Sequence, residues 1–176
     1  MMNKRTTAID IANYIVDVVN NNPDMKGILT PIKLQKILYY VYVNCLVNRN
    51  EKLFEQPIEK WKFGPVVSDV YHSFKMFGTG HIDSTISTFE FSDEENGGFS
   101  LKEVKFDPNS LSLNPEVQDE IHSTIKALIN EKPFDLVERT HGEEPWRLLE
   151  ARILAGERGL IYTDQEIKDF FSKKSY

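Results

Sequence analysis

Leu29-Thr30-Pro31-Ile32-Lys33-Leu34-Gln35-Lys36-Ile37-Leu38-Tyr39-Tyr40 opens, and Trp61-Lys62-Phe63-Gly64-Pro65-Val66-Val67-Ser68-Asp69-Val70-Tyr71-His72-Ser73-Phe74-Lys75 closes, the segment around which the chain is organised. Thr30-Pro31 places a hydroxyl at an N-cap and proline at the first helical position, so a helix starts there. On a helical wheel Leu34, Leu38, Val41 and Cys45 form one apolar stripe, flanked by Ile37 and Tyr42, and Ile32, Tyr39, Val43 and Leu46 form a second nearly opposite. Lys33, Lys36, Tyr40, Asn44 and Val47 are left along the far edge. A helix apolar round most of its circumference packs on several sides and is the core helix of its fold. Its aromatic stripe either packs inward or is held for a partner. Beyond it, residues 58–63 alternate in the manner of a short strand. Gly64-Pro65 is expected to supply cap and first turn for a further helix carrying Val66, Val70, Phe74 and Phe77, stopped by Gly78 and Gly80.

Outward from this centre, Thr6 or Thr7 caps a first helix that runs to about Asn21, with Ile11, Ile15, Val18 and Val19 on one face. From Ile86 the period changes to two. The runs on either side of Asp93-Glu94-Glu95-Asn96-Gly97-Gly98 read as a β-hairpin with an acidic turn. Asn114-Pro115 starts a helix with Val117, Ile121, Ile125 and Leu128 on its buried face, and Pro133 starts a short one through Phe134, Leu136 and Val137. A helix is expected from Pro145 to about Gly156, and the capping box Thr163-Asp164-Gln165-Glu166 begins the last, with Ile167, Phe170 and Phe171. The expectation is a mainly α (α+β) fold: one helical domain over residues 1–176, built around a central buried helix, with a small antiparallel hairpin.

At 176 residues the chain is long enough to bury a core without staples. Its net charge of −6 argues against a nucleic-acid partner, and the lysines fall in scattered pairs such as Lys33 and Lys36, Lys60 and Lys62, Lys102 and Lys105, and Lys173 and Lys174. The single cysteine, Cys45, excludes an internal disulfide and fits a reducing compartment. No signal peptide is visible after Met1, and the most apolar run, residues 37–46, contains Asn44 and is far shorter than a bilayer span. A cytoplasmic protein without membrane contact is expected.

Reaction chemistry leaves little trace. His72, His81, His122 and His141 are dispersed, so metal ligation is not indicated. Gly78-Thr79-Gly80 lacks both the third glycine and the strand–helix context of a dinucleotide site. Cys45 lies on an apolar stripe, where a thiol is inert. His141, in a polar stretch beside Glu143 and Glu144, is the one candidate general base, though a histidine so placed also serves to tie a loop by hydrogen bonding.

Leu34-Gln35-Lys36-Ile37-Leu38-Tyr39-Tyr40, the turn Trp61-Lys62-Phe63-Gly64-Pro65-Val66 with Val70-Tyr71, and Thr140-His141-Gly142-Glu143-Glu144-Pro145-Trp146 occur in an order and spacing that resemble the Panacea domain of SocA-type antitoxins and phage-associated GepA-like proteins. The stretch Ala8-Ile9-Asp10-Ile11-Ala12-Asn13-Tyr14-Ile15 is similar to that domain's first helix, and the resemblance covers about residues 9–171. It implies a protein that neutralises a cognate toxin by direct contact, either sterically or, as in the SocA type, by presenting the toxin to a AAA+ protease. It implies no cofactor, no metal and no catalysis. Tyr39, Tyr40, Trp61, Phe63, Gly64, Pro65, Tyr71, His141 and Trp146 are the candidate partner-binding residues, because aromatic anchors on proline-stiffened turns suit an interface. Taken singly, Trp61 and Trp146 each suit the core as well. Two other readings stand beside this one: a phage or prophage accessory protein that binds a host factor, and an enzyme using His141 with Glu143 or Glu144.

Overall fold

A computed structural model describes residues 5–93 and 96–173 of the chain. Glu94 and Glu95 of the acidic turn, and Lys174, lie outside the described residues. In chain order the elements are α1 (Ala8–Asn20), α2 (Pro31–Asn48), β1 (Glu59–Trp61), β2 (Gly64–Val66), α3 (Ser68–Phe74), β3 (Thr88–Asp93), β4 (Phe99–Val104), α4 (Pro115–Leu128), α5 (Pro133–His141), α6 (Glu144–Arg147), α7 (Glu150–Leu154) and α8 (Asp164–Ser172). The fold is mainly α with two small antiparallel two-stranded sheets, β1–β2 and β3–β4.

α2 is the axis of the fold. Thr30 caps it, its hydroxyl accepting from the Lys33 amide, with Pro31 in the first turn. The helix packs against α1, α3, α4, α5, α8 and β2. Lys33, Lys36 and Tyr40, expected along a far edge, are buried with the rest. The reason is that α4 and α5 cover that side: Lys33 donates to the Ile129 carbonyl at 2.8 Å, and Asn44 donates to the Thr124 hydroxyl at 2.9 Å. Apolar stripes could not reveal this, because the covering layer is held by polar tips reaching backbone and side-chain acceptors.

Caps locate the other long helices. Thr7 forms a capping box with Asp10 for α1, Asn114 accepts from the Val117 amide at the head of α4, and Thr163 forms a second box with Glu166 for α8. Three boundaries differ from expectation. Gly64-Pro65 does not open a helix. Lys62 and Phe63 make a two-residue turn, Gly64 adopts φ +89°, and the chain folds back so that Trp61 pairs with Gly64, Lys60 with Pro65 and Glu59 with Val66. Pro65 tolerates this place because it need not donate to the ladder. α3 therefore begins at Ser68.

α5 runs on to His141, the Thr140 hydroxyl bonding back to the Val137 carbonyl at 2.8 Å, so His141 ends a helix and does not sit in a loop. The helix expected from Pro145 is broken in two. Leu149, at φ −110° and ψ 7°, leaves helical geometry between α6 and α7, and its amide closes a tighter turn onto the Trp146 carbonyl.

Candidate functional site

Successive residues of α2 reach in turn to the β1–β2 hairpin and to the start of α6. Gln35 holds both backbone polar groups of Val67: its Oε1 accepts from the Val67 amide at 2.9 Å and its Nε2 donates to the Val67 carbonyl at 3.3 Å. Lys36 is fully buried and its Nζ donates to the Pro65 carbonyl at 3.0 Å. Burial holds its ammonium pKa down to about 7, since a charge without bulk water is costly. One turn on, the hydroxyls of Tyr39 and Tyr40 donate to the two carboxylate oxygens of Glu143, at 3.0 and 2.6 Å, and all three side chains are buried.

The third motif closes the ring. The Trp146 indole donates to the Trp61 carbonyl at 2.9 Å. His141 stacks on Trp146 with ring centroids 3.8 Å apart and hydrogen-bonds the Lys62 backbone. Burial favours the neutral imidazole, pulling its pKa below the ordinary value against the opposing effect of that bond. Gly64 completes the joint. A Cβ there would stand 2.4 Å from the Thr140 hydroxyl and 3.2 Å from Lys36 Cε, so a side chain is excluded by both backbone angle and space. The three sequence motifs thus meet at one buried polar junction linking α2, the hairpin, α5 and α6.

Above this junction lies an open apolar cleft of about 550 Å³ between the first turns of α2, the hairpin turn and α3. Trp61, Phe63 and Tyr71 form its aromatic wall, with Ile32 and Phe74 beside them. Phe63 is 48% and Tyr71 44% exposed, and Trp61 meets Tyr71 edge-on at 5.1 Å. Phe134, 60% exposed, extends the aromatic surface by an edge contact with Phe63 at 6.1 Å. The cleft is lined by three lysines, Lys36, Lys62 and Lys75, and by no acidic residue.

The structure therefore sorts the candidate residues. Trp61, Phe63 and Tyr71 reach the cleft, and Gly64 and Pro65 shape the turn beneath it. Tyr39, Tyr40 and Trp146 lie inside, with no face open to a partner, and His141 is half-buried against Trp146. Gln35, Lys36 and Thr140, which hold the junction, and Phe134, which widens the aromatic face, were not singled out from sequence. A lysine in a helix apolar on every other side was the available signal for Lys36. Cys45 is buried on α2 and its thiol pKa is pushed up to about 12 by burial, so it is an inert core group. Among the described residues no cluster of three or more His, Cys, Asp or Glu side chains is arranged to hold a metal ion, and no helix is long and apolar enough to cross a membrane.

On a helical scaffold, the residues of the three motifs thus lock a hairpin beneath an aromatic cleft. The family model for the antitoxin SocA-like, Panacea domain matches residues 34–147, and the chain belongs to that family. The matched span contains all three motifs, most of the cleft lining and the β3–β4 hairpin, while α1, the first residues of α2, α7 and α8 lie outside it. No curated protein and no solved structure matches the chain.

Proposed function

We propose that the protein is an antitoxin-like binding protein that neutralises a cognate toxin by direct contact in the cytoplasm, and that the cleft walled by Trp61, Phe63 and Tyr71 is part of the contact surface. The observation that carries this reading is the pairing of an open aromatic cleft with a rigid buried support built from the family's own motif residues. Anchors already fixed by a hydrogen-bonded frame lose little conformational freedom on binding, and aromatic anchors in desolvated pockets dominate interface energies. Membership of an antitoxin-like family supports contact over catalysis. So does the placing of the Glu143 carboxylate, which accepts from two tyrosines and is buried away from the cleft.

Co-expression with the product of the neighbouring gene tests the proposal. Restored growth and co-purification of the two chains are expected, with Phe63→Ser and Tyr71→Ser together weakening both. Failure of the wild-type chain to rescue growth or to co-purify would refute the reading. Repeating the rescue in cells lacking AAA+ proteases separates its two forms: steric neutralisation persists there, and delivery for degradation is lost.

A further inference from the structure

One face of the β3–β4 ribbon is largely open among the described residues. Its register sets Phe89 opposite Glu103, Phe91 opposite Leu101 and Asp93 opposite Phe99. Directly opposed residues point to the same side of a sheet and alternate residues share it, so Phe89, Phe91, Phe99 and Leu101 stand together, with Asp93 and Glu103 at the two ends. The four apolar side chains are 60, 79, 81 and 56% exposed. On the opposite face Ser92 and Ser100 hydrogen-bond each other, and Thr88 and Val104 are half-buried.

An isolated two-stranded ribbon is marginal in water, and a contiguous apolar patch of this extent ranks with the largest on a typical monomer, which are often functional. From the typical area of an aromatic side chain the face offers roughly 500 Å² of apolar surface. We infer that this face is a docking surface for a partner protein whose own apolar contact area is bordered by lysine or arginine. The inference rests on the proposed neutralisation of a toxin, and it names the chemistry by which that partner is held.

A second copy of the chain is the poorer occupant. Face-to-face pairing would bring the carboxylates of Asp93 and Glu103 towards like charges in a molecule of net charge −6. A basic rim on a different protein turns the same two carboxylates into complementary contacts, which speed encounter and fix register.

The test compares the wild type, Phe91→Ser/Phe99→Ser and Asp93→Lys/Glu103→Lys for affinity towards the neighbouring gene's product, with melting temperature and sedimentation of each chain alone. Wild type is expected to bind and to sediment alone as a monomer. The serine pair should lose at least about tenfold in affinity, as truncated anchors do, at unchanged melting temperature. The charge-reversed pair should lose affinity mainly through a slower association rate. Ribbon variants that bind as the wild type does would overturn this inference and leave the proposed function standing. A wild-type dimer dissolved by the serine pair would also overturn it, assigning the face to a second copy. Failure of the wild type itself to bind would overturn both.

Discussion

Tyr39, Tyr40 and Trp146 lie beneath the surface with their polar tips bonded to Glu143 and Trp61, whereas Phe89, Phe91 and Phe99 project from β3 and β4 into solvent. Both regions are rich in aromatic side chains, and residue type alone makes either a plausible interface. What separates them is cover. At the junction, α5 and α6 pack over the hydrogen-bonded tips, and removing one group leaves its partner without a donor or acceptor. On the ribbon the phenylalanine face is more than half exposed among the described residues, and those rings have no polar tip to anchor inward. The first region maintains a shape and the second presents one. The cleft lies between these extremes, its aromatic wall half-exposed but seated on the junction.

The sharpest way to break this contrast is Gly64→Ala. A methyl group there meets the Thr140 hydroxyl at 2.4 Å on a backbone held at φ +89°, so roughly 3–5 kcal/mol of stability should be lost in denaturant unfolding. Adding Thr140→Ala should recover only part of it, because the backbone strain stays.

Lys36 adds a pH signature. Its folded pKa of about 7 lies below its unfolded value near 10.5, so between these two pH values the unfolded chain binds the extra proton. Its contribution to stability is fully present above the unfolded value and is lost as pH falls to about 7. Wild type minus Lys36→Met should therefore shift in the wild type's favour by about 3 kcal/mol from pH 7 to pH 10. A flat difference would mean that the amine is not desolvated.

Tyr40→Phe, which takes one donor from the Glu143 carboxylate, should cost about 1.5–3 kcal/mol with the fold retained. Phe91→Ser on the ribbon should change stability by no more than about 0.5 kcal/mol, as expected for a surface position. A large loss there would mean that the phenylalanine face belongs to the core and would erase the contrast.

Much of this frame was legible before the structure. Thr30-Pro31 and Asn114-Pro115 start their helices where cap chemistry places them, and the period-two runs around Asn96-Gly97 form the second hairpin. Gly64-Pro65 misled because a glycine–proline pair suits a helix start and a tight turn equally. Only tertiary contacts decide: Lys36 bonding the Pro65 carbonyl, and Gln35 holding Val67. The site was half legible. Trp61, Phe63 and Tyr71 reach the cleft, but Tyr39 and Tyr40 are paired with Glu143, about a hundred residues further along, and Trp146 with the hairpin carbonyl of Trp61, which no local pattern encodes. The exposed ribbon face was hidden for the opposite reason. Alternating phenylalanines normally announce a covered sheet face, and here the face stays largely open among the described residues.

The central claim is that the protein works by occupying a partner and not by transforming it. Titrating the purified toxin with the purified protein, with residual toxin activity and toxin mass followed over time, tests this most directly. The account predicts inhibition that saturates at a fixed molar ratio, does not progress with time, and leaves the toxin's mass unchanged. Progressive inactivation of excess toxin by substoichiometric protein, or a change in toxin mass, would contradict it.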